Sequence, residues 1–188
     1  MIHLPTRNDL GSLLKPGAVC AEVGVWRGYF SVTMLQWPVS RLILVDSWRR
    51  QVWSAEEQAP DEEHEANYQE TLSNVRGSMD RVVVMRMTSA EAAKQIAQPI
   101  FDLIFIDACH DYTHVTEDLR LWSALVKPDG FLCGHDYTKN ADSVKWGFGV
   151  VKAVDDFCAN SEWEHTHLTN EDFASYVLQR KNWGGAEA

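Results

Sequence analysis

Short apolar runs alternate along this chain with longer stretches in which apolar residues recur every three or four positions. AVCAEV (18–23), RLILVD (41–46), RVVVM (81–85), FDLIFID (101–107) and FLCG (131–134) are near-continuous hydrophobic runs of strand length. Between them, FSVTMLQW (30–37) fits a helix ended by Pro38, and residues 61–76 place Tyr68, Leu72 and Val75 at helical spacing. Thr88 and Glu91 form a capping-box pattern that predicts a helix through Ile96. Residues 113–126 carry Val115, Leu119, Trp122 and Val126 on one face, and Pro128-Asp129-Gly130 then predicts a turn. Val150, Val151, Val154, Phe157 and Cys158 mark a later helix. Two tail strands, 163–168 and 175–180, are split only by the polar TNED loop. Buried strands alternating with helices predict an α/β fold: a doubly wound, mostly parallel sheet of seven strands with helices on both faces. The tail pair, having no helix between its strands, is expected to form a C-terminal antiparallel hairpin.

The 188 residues stand a little above the roughly 150 of a one-domain prior, and no linker or repeat divides them. One domain over 1–188 is expected. Hydrophobic residues at 45% and charged residues at 23% suit an ordinary globular core. The net charge of −10 disfavours nucleic acid and anionic lipid as partners. No window approaches the ~18 apolar residues of a membrane helix. The four cysteines (Cys20, Cys109, Cys133, Cys158) show no CxxC pattern, which predicts unpaired thiols in a reducing, cytoplasmic setting.

The chemistry gathers at strand ends. The first strand runs into E-V-G-x-x-x-G, with Glu22 ahead of Gly24 and Gly28. Bare glycines let a backbone come close to a ligand. An acid there repels a pyrophosphate and suits a cation, unlike the GxGxxG of dinucleotide folds. Asp46, ending the second strand, is placed to take the hydroxyls of a ribose. A ligand with a ribose, an amino group and no phosphate fits S-adenosylmethionine. A second cluster, Asp107-x-x-His110 and His135-Asp136-Tyr137, follows two later strands. If those strands are neighbours, two carboxylates and two imidazoles meet in one cleft, a donor set suited to Mg²⁺, Mn²⁺ or iron.

These pieces resemble a family. AEVGVWRG (21–28), LILVDSW (42–48), MTSAEAA (87–93), FDLIFIDACHDY (101–112), KPDGFLCGHDY (127–137) and GVVKAVDDFC (149–158) together are similar to the class I S-adenosylmethionine-dependent methyltransferases, which are Rossmann-like. Within them the chain resembles the small metal-dependent branch that includes macrocin O-methyltransferase and cephalosporin hydroxylase-like proteins. The resemblance implies a cofactor site built from Glu22, Gly24, Trp26, Gly28, Asp46, Ser47, Thr88, Ser89 and Asp107. It implies a divalent-metal site at Asp107 and Asp136, and a general base at His110. His135 stands where some members have an acid and is the candidate third ligand; metal-free transfer by the same fold stays open.

The implied reaction is O-methylation of a hydroxylated small molecule or sugar. Trp48, Trp53 and Trp146, in the stretches 47–65 and 137–149, are candidates for a wall against such a substrate; closure over the cofactor, or packing between protomers of a homo-oligomer, competes with that reading. Two further classes remain: a cofactor-binding protein that transfers nothing, and a metal-dependent hydrolase using Asp107, His110 and Asp136. The ribose acid Asp46 argues against the hydrolase.

Overall fold

The computed structural model of the protein describes residues 1–51 and 59–181. Eight strands form one sheet: β1 (Ile2–Leu4), β2 (Ala18–Val23), β3 (Val39–Asp46), β4 (Val82–Arg86), β5 (Phe101–Ile106), β6 (Val126–Gly134), β7 (Trp163–Thr169) and β8 (Tyr176–Arg180). The helices are α1 (Tyr29–Met34), α2 (Asp61–Val75), α3 (Ser89–Gln95), α4 (Tyr112–Ser123), α5 (Ala141–Lys145) and α6 (Val150–Ala159), and a 3₁₀ segment covers Arg7–Leu13.

The sheet order is β1-β7-β8-β6-β5-β2-β3-β4. From β2 the chain winds outward through β3 and β4, then returns to β5 on the other side of β2 and winds outward again. The carboxyl ends of β2 and β5 therefore flank the switch point, where a crevice opens in such sheets. Only β8 runs against its neighbours, pairing antiparallel with both β6 and β7. The physical reason is the short connection after β7: a parallel return needs a crossover of a dozen or more residues.

Alternate strand residues face two cores. Ala21, Val23, Ile43, Val45, Ile104, Ile106 and Leu132 pack under α3, α4 and α6. Cys20, Leu42, Leu44, Leu103, Phe105 and Cys133 pack under the 3₁₀ segment and α1, with Val75 of α2. Among the described residues, no helix is long and apolar enough to cross a membrane. No cysteine is in a disulfide; Cys20 and Cys133 are buried, Cys109 and Cys158 half-buried.

Three features depart from the sequence pattern. The first is β1, an eighth strand paired parallel with β7 at the sheet edge; three residues are too few to show a period. The second is Val126, which begins β6, whereas α4 stops at Ser123. The turn expected at Pro128-Asp129-Gly130 is instead an irregularity within β6. The register jumps from Phe101↔Val126 to Leu103↔Phe131, and Lys127 Nζ folds back to Asp102 at 2.8 Å. The third is α2, which docks by polar groups: its buried residues are Asn67, Thr71 and Val75.

Glycine is required where β2 ends. Gly24 has φ +88°, and a Cβ there would lie 1.9 Å from the Asp107 carbonyl oxygen. Gly17 has nearly the same φ, +87°, with no atom within 4 Å of its would-be Cβ. Gly17→Ala is therefore expected to cost only the left-handed backbone penalty, about 1–2 kcal/mol. Gly24→Ala adds a backbone clash that side-chain motion does not relieve, costing about 1–3 kcal/mol more. Urea unfolding midpoints of the two variants check this; equal midpoints would show that β2 and β5 can part at no cost.

Candidate active site

β2 leaves the sheet through a tight turn held by an acid at the end of β3. Asp46 Oδ2 accepts the backbone N–H groups of Val25 and Trp26, each at 2.9 Å, and Oδ1 accepts that of Trp48 at 2.8 Å. A carboxylate has about four lone-pair sites, so these bonds leave one, on Oδ1, where the sequence reading gave Asp46 both hydroxyls of a ribose. The turn places Trp26 at φ +53°. Its carbonyl accepts from Trp48 Nε1 at 2.7 Å and from Thr71 Oγ1 of α2 at 3.1 Å. Glu22 lies beneath, fully buried, and accepts a hydrogen bond from Ser31 Oγ of α1. Burial, chiefly, with the nearby Asp107 and Asp46 charges, pushes its carboxyl up to about 8 against the pull of Ser31 and Arg7.

At the ends of β5 and β6 the predicted cluster forms. His110 Nε2 lies 2.9 Å from Asp136 Oδ2 and 3.7 Å from Asp107 Oδ1. His135 Nδ1 lies 3.1 Å from Asp136 Oδ1 and 3.8 Å from Asp107 Oδ1. Asp136 is buried and strained at φ +59°. Burial pushes its carboxyl up, but hydrogen bonds and charge from His110 and His135 outweigh burial and hold it well below the usual carboxylate range. The His110 ring stacks on Phe148, with centroids 4.4 Å apart and planes 17° apart. One ligand atom each from Asp107, His110 and Asp136 lies within 4.8 Å of the others. That donor set of carboxylates and imidazoles fits a divalent ion such as Mn²⁺ or Fe²⁺.

A cleft of about 790 Å³ joins the two groups. Glu22, Gly24, Trp26, Asp46, Ser47, Thr88, Ser89, Asp107 and His110 all line it. Gly28, His135 and Asp136 stand behind the wall. Gly28 sits at the start of α1 with φ +75°, its would-be Cβ 3.0 Å from Thr71 Cγ2, so it serves the packing of α2. Thr88 caps α3 through the predicted box with Glu91. Ser89 is committed to structure: it donates to Asp118 and accepts from Trp122 Nε1 at 2.7 Å.

The sequence reading missed two groups. Asp118, on α4 and 29 positions from Ser89, reaches the Thr88–Ser89 end of the cleft; burial raises its carboxyl to about 7. Arg7, on the N-terminal 3₁₀ segment, enters the other end and lies 3.4 Å from Asp107. Neither has a local motif, since each depends on a crossing of distant segments. Trp48 is 1% exposed and packs on Tyr68 in the core, while it also borders the cleft. Trp146 is exposed as expected and stacks on Phe173, whereas Trp53 lies outside the described residues. A further trio, Cys109, Asp111 and His114, is explained by capping: Asp111 is the N-cap of α4 and receives both Cys109 Sγ and His114 Nδ1.

Residues 21–137 match the family model of the methyltransferase domain. The chain belongs to that family. It is a class I S-adenosylmethionine-dependent methyltransferase by family and by fold. This methyltransferase is similar to the O-methyltransferase from Bacillus cereus solved in complex with SAH. The identity is 18% and the TM-score 0.64, covering 91% of this chain and 77% of that one. It is similar also to cofactor-bound Rv0187 from MTB, at 17% identity and TM-score 0.62, covering 88% and 74%. No curated protein sequence matches it.

The buried Glu22 makes stability depend on pH. Its folded-state value of about 8 exceeds the ordinary value of 4.5, so between these the folded protein holds a proton the unfolded chain has released. The stabilisation is whole below pH about 4.5 and lost as pH rises to about 8. Glu22→Gln keeps the neutral shape at every pH. Its stability relative to the parent should therefore rise steadily across that window in denaturant titrations. A difference independent of pH would mean that Glu22 is ionised in the fold.

Proposed function

We propose that this methyltransferase O-methylates a hydroxylated small molecule or sugar, with His110 as general base. The observation that carries the reading is that one cleft is lined both by the glycine turn with Asp46 and by His110, which Asp136 backs at 2.9 Å. The turn and Asp46 suit the cofactor: Gly24 lines the methionine half, and the remaining site on Asp46 Oδ1 takes a ribose hydroxyl. Trp26 and Ser47 flank it, and Thr88 and Ser89 stand at the adenine end. The soluble-metabolite reading also agrees with a surface too acidic for a phosphate polymer.

The transfer is an in-line displacement. The acceptor oxygen forms a bond to the methyl carbon, the carbon–sulfur bond breaks, and sulfur keeps the electron pair as a thioether. The acceptor's proton has to leave, because an alcohol ionises far above neutral pH. His110 is oriented for that task. Its Nε2 stands 2.9 Å from Asp136 Oδ2, its ring rests on Phe148, and the imidazole takes the proton. Asp136, held ionised between two imidazoles, stabilises the imidazolium that forms, as a carboxylate partner does for a catalytic histidine. Alignment of methyl and oxygen supplies a large part of the acceleration.

Asp107 and Asp136 would hold a divalent cation, Mg²⁺ or Mn²⁺, with His135 as third ligand. Such a cation would lower the pKa of an acceptor hydroxyl toward neutral pH. His135 is taken as the third ligand so that His110, which lines the cleft, is left for the acceptor's proton.

His110→Ala should lower turnover by about 10²–10⁴-fold, while cofactor affinity by calorimetry stays close to that of the parent. The rate–pH profile should also lose its acid limb. A variant that keeps the parental rate on an accepted substrate would make His110 structural. For the metal, Mn²⁺ added to the protein should lose its free-ion electron paramagnetic signal, and Asp136→Asn should restore it. An unaltered Mn²⁺ signal with the parent protein, together with activity that survives chelation, would remove the cation from the reaction.

A further inference from the structure

Five acids line the cleft, Glu22, Asp46, Asp107, Glu117 and Asp118, a setting that suits a sulfonium and an ammonium better than a carboxylate. S-adenosylmethionine carries all three on its amino-acid half. Two arginines line the described part of the cleft, at opposite ends. Arg49 is paired with Glu91, the capping acid of α3, at 3.7 Å. Arg7 stands at the Glu22–Gly24–Asp107 end, with Nη1 3.4 Å from Asp107 Oδ2 and its guanidinium 4.8 Å above the Phe30 ring.

Arg7 is held there from several sides. Thr6 and Asp9 close a capping box around the 3₁₀ segment. The Arg7 backbone N–H donates to Glu171 Oε2 at 2.8 Å, and Trp37 Nε1 donates to the Asn8 carbonyl at 3.1 Å. Leu10 is fully buried. In sheet order, four strands separate β1 from β2, so the segment joining them must cross the sheet, and Arg7 lies on that crossing. A pre-placed side chain loses little freedom on binding a ligand.

We propose that Arg7 docks the α-carboxylate of the cofactor's amino-acid half while Asp107 Oδ2, the oxygen on the Arg7 side, takes the adjoining α-ammonium and leaves Oδ1 to the His110–His135 side; this rests on the cofactor reading above. The Arg7–Asp107 pair is long and partly exposed, at 32% and 25%, so it is weak by itself and opens at little cost. An α-amino-acid zwitterion carries its two charges on one carbon, and it fits between a cation and an anion already set side by side. The guanidinium offers five N–H donors in a planar fork that matches a carboxylate, and the contact to Asp107 uses one of them. Phe30 packs beneath the guanidinium and limits its freedom.

The test is calorimetry on the full chain with two probes. S-adenosylhomocysteine has the zwitterion; 5′-methylthioadenosine keeps the nucleoside and the thioether but lacks it. Arg7→Ala should bind S-adenosylhomocysteine roughly 10- to 100-fold more weakly, the range expected for a charge-assisted hydrogen bond. It should bind methylthioadenosine within about twofold of the parent, a shift under 0.5 kcal/mol. Arg7→Lys should recover part of the loss. Equal S-adenosylhomocysteine affinity in parent and Arg7→Ala overturns the proposal while leaving the cofactor reading intact. So does an equal loss of both probes, which marks Arg7 as a structural support of the N-terminal segment. Failure of the parent to bind either probe overturns the cofactor reading itself, and the proposal with it.

Discussion

The carbonyl of Asp107 occupies the space that a side chain at residue 24 would need. That contact sets how closely the ends of β2 and β5 approach, and the cleft is arranged around it. With Gly24 at this point the chain turns sharply out of β2, and the two amides that follow are presented to Asp46. The same contact fixes the backbone of Asp107, whose amide donates to Val23 at 2.7 Å, and so sets the level from which its carboxylate rises. The glycine turn is therefore first a packing solution. Its closeness to a ligand follows from the closeness of two strand ends.

Around this contact the protein crowds carboxyl groups and gives each a different state. Glu22 is buried beside a hydroxyl and tends to the neutral form. Asp46 is fixed by three amides, and Asp107 is balanced by an arginine at the cleft edge. Asp136, buried but flanked by two imidazoles, is kept charged. Burial raises the carboxyls of both Glu22 and Asp136, and their partners decide between them: the two imidazoles keep Asp136 an anion at the end of β6, while Glu22 tends to the neutral form under the turn.

Much of the fold was legible because the strands of a covered parallel sheet are apolar on both faces and stand out from amphipathic helices. The capping box at Thr88 and Glu91 was legible for a similar reason: its hydrogen bonds are local, so four residues carry the whole signal. The convergence of Asp107, His110, His135 and Asp136 could be inferred since parallel strands bring their carboxyl ends to one edge. Whether β5 and β6 were neighbours, however, is a matter of strand order, which no residue pattern records.

The sequence by itself determined the alternation of elements, the acids and glycines at strand ends, and hence the family and the kind of ligand. Tertiary structure alone decided that Trp48 is core, because its indole found the Trp26 carbonyl and the Tyr68 ring. It decided that Ser89 is bound to Asp118 and Trp122, and that Arg7 crosses a sheet to meet Asp107. The physical reason is common to all three. Strand and helix propensity act over a few residues, whereas burial and charge pairing join groups up to a hundred positions apart, and only the folded chain brings those into contact.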